Sequence, residues 1–346
     1  YNLPTPTIGN GALYNAATLI TGNASTQTID NSQSNGGNNA VSKSFYPDLV
    51  WWKKRSAAAN NIVVDSVRGV NPFLRTNTTG AEDTPSGMTA FNSNGFSVNG
   101  AYDNAATYVA WQWNAGSGSS SSNTSGSITS TVSVSATSGV SIVKYTGTAT
   151  NATVGHGLGV APSFIITKNR DASTDWWVYH SSLGNTKYIV LNSTATPVTS
   201  SSAWNNTSPT STVFSLGASS PSNANQDIAY CWAEVKSYSS FGLYIGNGSA
   251  DGPFVYTGFR PRWLLIKNIS SGTAYWNLMD TSRSPYNVVS AYLTPNSSDA
   301  EGSYGGWDIL SNGFKLRNTG GSLNTNGESY IYAAFAENPF KYSRAR

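Results

Sequence analysis

Apolar residues along this chain come in short runs, mostly four to eight long, bounded by Gly, Asn, Pro and Ser. Few segments carry the three-to-four spacing of a helix face. Short β-branched and aromatic runs closed by turn residues are the signature of strands. Three runs share the form Pro-x-Φ-Φ-Φ-x-Lys, with Φ apolar or Trp: PDLVWWK (47–53), PSFIITK (162–168) and PRWLLIK (261–267). Each is continuously apolar, which predicts a central strand buried on both faces. The proline sits at the strand start, where its missing N–H costs least.

The flanks of these runs repeat as well. A turn of small residues precedes each: TGNASTQTI (21–29), TGTATNATV (146–154) and IGNGSADGPFVY (245–256). DSVRG (65–69), HSSLG (180–184) or DTSRS (280–284) follows, and then LRTNTT (74–79), IVLNST (189–194) or LTPNSS (293–298). Ser-Asn-Gly-Phe recurs in the first and third copies, at 93–96 and 311–314, where the second copy has VFSLG (213–217). Each copy closes on an aromatic strand: YVAWQW (108–113), IAYCWAE (228–234) and YIYAAFAE (330–337). Six features in one order, three times over, define an internal repeat. Turn signals every eight to twelve residues point to a β-sandwich or jelly-roll-like, lectin-like unit. The predicted organisation is all-β, with three tandem β-sandwich repeats at 1–115, 140–237 and 238–346. A Ser/Gly-rich linker spans 116–139; its first half is flexible by composition, and its second half, ITSTVSVSA, can form an edge strand or extended arm.

Composition narrows the functional class. Among 346 residues, charged side chains make up 11 % and hydrophobic ones 38 %, with 11 Trp and 19 Tyr. Few charges with many aromatics exclude a disordered chain. A formal net charge of +3 with no dense basic stripe argues against nucleic-acid binding. The basic runs are short: Lys53, Lys54 and Arg55, and the tail Lys341, Arg344 and Arg346. No apolar run has the length of a membrane span. The single cysteine, Cys231, lies in an apolar run and reads as a small buried hydrophobe.

Candidate chemistry is sparse. Of the two histidines, His156 sits in a Gly-rich turn, and His180 takes the place of Asp65 and Asp280 in the sister copies. That equivalence predicts a shared turn-capping role. Glu82-Asp83 aligns with Glu301, and Glu234 with Glu337; residues that recur with the unit read as structural rather than catalytic. DASTD (171–175) has alternating acidic spacing but lacks the Gly and distal Glu of a calcium loop. No catalytic residues, metal site or cofactor are assigned. The aromatics remain. Trp51-Trp52 and Trp176-Trp177 are adjacent pairs on presumed strands, so one ring of each points in and the other out. An outward ring packs on a neighbouring domain or subunit, or stacks on a ligand such as a sugar. These four tryptophans are the candidate ligand-binding residues.

The stretches PDLVWWKKRSAAANNIVVDSVRG (47–69), HGLGVAPSFIITKNRDASTDWWVYH (156–180), WDILSNGFKLRNTG and YIYAAFAENPFKYSRAR (within 307–346) resemble the repeat domains of tail and tail-fibre-like proteins of tailed bacteriophages, marine ones especially. The resemblance covers most of the chain, apart from the polar insert 30–44 and the segment 116–139. It implies a non-enzymatic virion component outside the cell, in a tail fibre or appendage. Its implied partners are other virion proteins, further copies of itself in a homotrimer, and a host cell-surface glycan. The alternatives are a cellular carbohydrate-binding module or adhesin, and a glycan depolymerase.

Overall fold

The computed structural model describes residues 8, 10–33, 44–100 and 102–336. Glu337, the basic tail and most of the polar insert lie outside the described residues. The chain is all-β and antiparallel, with two one-turn helices, α1 (Ser201–Trp204) and α2 (Gly321–Asn324). Its first copy comprises β1 (Asn15–Thr21), β2 (Thr26–Asp30), β3 (Leu49–Lys54), β4 (Ile62–Asp65), β5 (Gly69–Arg75), β6 (Met88–Asn92), β7 (Gly95–Asn99) and β8 (Thr107–Trp113). Five of these form a large sheet in the order β1-β8-β3-β4-β5, and three a small sheet, β2-β7-β6.

The next two strands, β9 (Ser121–Asn123) and β10 (Ser130–Ser135), come from the segment expected to be a linker. The second copy holds β11 (Val140–Thr148), β12 (Ala152–Gly155), β13 (Phe164–Asn169), β14 (Trp177–His180), β15 (Lys187–Val190), β16 (Val198–Thr199), β17 (Val213–Leu216) and β18 (Ala224–Trp232). Its large sheet runs β16-β15-β14-β13-β18-β11-β10-β9, and β12 pairs β17. The third copy holds β19 (Ser239–Ile245), β20 (Phe254–Tyr256), β21 (Pro261–Asn268), β22 (Trp276–Asp280), β23 (Val289–Tyr292), β24 (Gly302–Leu310), β25 (Gly313–Leu316) and β26 (Ser329–Ala336). Here the sheets are β19-β26-β21-β22 and β20-β25-β24-β23. In all three copies the large sheet carries first, last, third and fourth strands side by side, with the Pro-x-Φ-Φ-Φ-x-Lys strand in the middle.

The expected flexibility of the first half of 116–139 is corrected, since it holds β9, whereas the second half forms the strand that its alternation allowed. The alternating Ser/Thr/Val of β10 pairs with β11 along six residues, and this arm lengthens the second large sheet. Its root is pinned by Asp48, which accepts the N–H groups of Ala115, Ser117 and Gly118 at 2.7, 2.9 and 2.7 Å. Three donors on one carboxylate outweigh the entropy of a Ser/Gly tract.

Each large sheet buries both faces, which is why its central strands are apolar throughout. One face packs on the copy's own small sheet: Val50, Trp52 and Ala110 meet Ile29, Phe96 and Val98, and Ile165, Tyr179 and Cys231 meet Val154, Phe214 and Leu216. In the third copy Phe314 of the small sheet stands edge-on to Tyr244 and Tyr332 at 5.9 and 5.4 Å. The opposite faces of all three large sheets meet in one common core. Trp113 stands at its centre, with ring centroids 6.1 Å from Trp232, 5.4 Å from Trp263 and 5.9 Å from Phe335.

The copies form a closed ring with three equivalent seams. The motif lysine of each copy donates to a backbone carbonyl of the copy before it: Lys168 to Thr79, Lys267 to Thr194, and Lys53 to Ser298. Four residues upstream of each acceptor, a second bond repeats the pattern. Trp176 Nε1 donates to the Arg75 carbonyl and Trp276 Nε1 to that of Val190, while Asn61, in the same place, donates to that of Thr294. The backbone N–H of these three residues is capped by Asn192, Asn296 and Asn77. Because these three asparagines open the -Asn-Thr/Ser- repeat, that sequence feature now has a cause.

Candidate functional site

The position one residue after Trp176 and its equivalents separates the copies. It is Ile62 in the first, Trp177 in the second and Asn277 in the third. Its diagonal neighbour on the adjoining strand, two residues before its register partner, is Phe73, Tyr188 or Tyr292. In the second copy Trp177 and Tyr188 stack face to face, with centroids 3.9 Å apart and planes 15° from parallel. In the first, the Arg75 guanidinium lies 4.6 Å over the Phe73 ring. In the third, the small amide of Asn277 leaves the face of Tyr292 uncovered.

The result is a cleft of about 380 Å³ beside β22, β23 and β24. Three tyrosines line it: Tyr275 and Tyr304, 43 % and 48 % exposed, and the partly buried Tyr292. Tyr292 lies over Gly302, where any Cβ would come within 2.4 Å of the ring, so glycine is required for the ring to take this place. Asn277 and Asp299 bring the polar groups, and Trp307 the wholly buried floor. The Asp299 carboxylate accepts from Ser297 Oγ at 2.6 Å through Oδ2. The Trp307 indole N–H has no hydrogen-bond partner. Aromatic faces, an amide, two hydroxyls and a carboxylate can stack on and hydrogen-bond a polyhydroxylated ring.

Of the four tryptophans singled out from sequence, three are closed to ligands. Trp51 lies in the common core, edge-on to Trp111 at 5.8 Å. Trp52 is stacked 6.3 Å from Phe96 between the two sheets of its copy. Trp176 is buried in the first seam by its bond to Arg75. The expected outward rings therefore pack on neighbouring copies of the same chain. Trp177 alone is partly exposed, and Tyr188 already covers one of its faces. The cleft residues Tyr275, Asn277, Tyr292, Asp299 and Tyr304 were not picked out by sequence reasoning. The available signal was the place where the third copy departs from its sisters, Asn277 against Trp177.

Asp65, Asp280, His180, Glu82 and Glu301 belong to the seams, whereas His156 stays within the second copy, its Nδ1 accepting from the Leu158 N–H and its Nε2 meeting the Thr210 carbonyl. Asp65 caps the N–H groups of Val67 and Arg68, and Asp280 those of Ser282 and Arg283. His180 does the same for Ser182 through Nδ1. Across the seams, Tyr230 Oη donates to Asp65 and Trp111 Nε1 to Asp280, at 2.8 and 2.9 Å. At the third seam the matching donor position is Ala333, and His180 Nε2 instead donates to the Tyr332 carbonyl at 3.0 Å. Burial pushes His180 down to about 4. Glu82 joins Arg68 to Arg170, and Glu301 joins Arg283 to Arg55. Burial alone would raise the Glu82 carboxyl, but the hydrogen bond from Arg170 and the charge of Arg68 prevail and hold it below its usual value. In the 171–175 stretch, Asp171 caps Gln226 and Asp175 accepts from Asn192. Among the described residues no cluster of three His, Cys, Asp or Glu could hold a metal ion.

No curated protein and no solved structure matches the chain. A single family model spans residues 11–339, and so takes in all three copies and the arm between them. The chain therefore belongs to the family described as Domain of unknown function (DUF7483).

Proposed function

We propose that this protein is a non-enzymatic component of a tailed-phage virion, in a tail fibre or appendage, that binds host cell-surface glycan through the cleft of its third copy. The observation that carries the binding reading is the cleft itself: three tyrosine rings, an amide and a carboxylate over an indole floor. The resemblance of 47–69, 156–180 and the C-terminal stretches to tail-fibre-like repeat domains supplies the virion setting. Display of several copies on a particle, as a homotrimer or through other virion proteins, would raise avidity without a tighter single site. The depolymerase alternative needs two carboxyl groups flanking a glycosidic bond. Asp299 is the one acid lining this cleft, which favours binding. A cellular carbohydrate-binding module would use the same cleft and differs only in what carries it.

The test is binding of the purified protein to host cells and to a printed glycan array. Replacing both Tyr275 and Tyr304 by Ala should reduce glycan and cell binding at least tenfold, since each stacking ring contributes about 1 kcal/mol or more. The rings are half exposed, so the melting temperature should change little. Unchanged binding by a folded double variant would sink the cleft as the receptor site.

A further inference from the structure

We infer that the cleft accepts a sugar ring without negative charge, a neutral hexose or an amino sugar, and turns away uronic and other acidic sugars; this deepens the glycan reading and rests on it. The lining carries one formal charge, the Asp299 carboxylate, and neither lysine nor arginine. Only Oδ2 of that carboxylate is taken up, by Ser297. Lys53, which feels the charge of Asp299, is wholly buried and directs its ammonium to the carbonyls of Ala59 and Ser298. An acidic sugar would have to bring its charge beside Asp299 with no cation to meet it, and an unpaired charge in a partly dried site is costly.

The remaining groups ask for neutral oxygens. Apart from Asp299 the polar side chains of the lining are neutral: the hydroxyls of Thr294 and Ser322 and the amide of Asn277. Sugar hydroxyls, which both donate and accept, match these groups. An amino group adds a charge-assisted bond to Asp299.

The molecule also provides the control. In the second copy the position of Asn277 holds Trp177, whose ring lies on Tyr188. Asn277→Trp should therefore fill the cleft with a pair the fold already accommodates, and its melting temperature confirms folding. On an array of neutral, amino and acidic glycans at pH 7.5, the wild type should bind neutral or amino sugars, and Asn277→Trp should lose that binding at least tenfold. Asp299→Asn should lower binding of amino sugars roughly tenfold relative to neutral ones. Acidic glycans among those lost in Asn277→Trp would overturn the inference while leaving the glycan reading intact. If no glycan is lost in Asn277→Trp, the glycan reading itself fails, and the inference with it.

Discussion

At position 180 one side chain reports how a seam is made. Its sister residues Asp65 and Asp280 each receive a donor from the adjoining copy, Tyr230 and Trp111. Ala333 offers none, and a carboxylate there would face the Tyr332 carbonyl. Histidine supplies its own donor. The turn-capping role was legible in the repeat, because His180 aligned with two aspartates. Its reach across the seam was not, because Ala333 is 153 positions away in the sequence and nothing local marks it. A second buried group opposes it in pH response. Asp227 is pushed up to about 9 by burial, with the charge of Asp171 adding to the effect. His180, at about 4, is neutral in the fold where an unfolded histidine, near 6.5, takes a proton; its contribution is full above pH 6.5 and is lost on acidification. Asp227 keeps a proton in the fold that the unfolded chain releases above about 3.9, so its contribution grows on acidification. Between pH 6.5 and 5 the two slopes, each about 1.4 kcal/mol per pH unit at most, nearly cancel. Chemical denaturation across that range should find Asp227→Asn losing stability with acid and His180→Asn gaining it. Asp227→Asn should also be more stable than wild type at pH 7, by roughly 2 kcal/mol. Parallel slopes for the two variants would refute this account.

The strands with the Pro-x-Φ-Φ-Φ-x-Lys motif show what the sequence could and could not reveal about elements. Their existence, central position and burial on both faces were readable from the apolar runs. The purpose of the lysine was not. Lys168 donates to the carbonyls of Thr79, Asn169 and Ala172 at 3.1, 2.8 and 3.1 Å, so it closes its own strand end and ties it to the preceding copy. Lys267 repeats this with Thr194, Asn268 and Ala274. Desolvation lowers both ammonium groups to about 8. Lys168→Met keeps the stem but strands three carbonyl acceptors, that of Asn169 buried and those of Thr79 and Ala172 nearer the surface, and should cost about 1–3 kcal/mol in urea melts. Lys187, at an exposed position on β15, is the control and should cost under about 0.5 kcal/mol when changed to Met. The arm β9–β10 was half legible: its alternation was visible, but Ser/Gly composition argued for flexibility. The deciding term is Asp48, far upstream, which gathers three N–H groups that composition alone leaves to water.

For the whole molecule, an array of independent sandwiches would melt in several steps. Here the faces of all three large sheets share one core around Trp113, and every seam carries buried hydrogen bonds. Far-ultraviolet circular dichroism and tryptophan fluorescence should therefore report one coincident unfolding transition. The excised segment 140–237 would bare Phe164, Ile166, Val178, Tyr230 and Trp232, and should not persist as a folded monomer. Separate transitions, or a stable excised copy, would contradict a shared core. The repeat was visible in sequence because six features kept their order. The ring was not, because apolar faces that meet a sister copy and those that meet a small sheet have the same composition.

The equivalence of the three seams carries a consequence for descent. Lysine to carbonyl, copy to preceding copy, is the contact rule of a cyclic assembly in which identical subunits meet head to tail and the rotation closes. A gene for one sandwich could have obeyed that rule before duplication joined three in one reading frame. Identical subunits must change together, and any pocket appears three times. Once fused, each copy mutates alone: one seam holds His180 where the other two hold Asp65 and Asp280, and the third copy holds Asn277 where its sisters hold Ile62 and Trp177. Fusion thus converts a symmetric scaffold into one whose copies differ, with the cleft of Tyr275, Tyr292 and Tyr304 beside one of them.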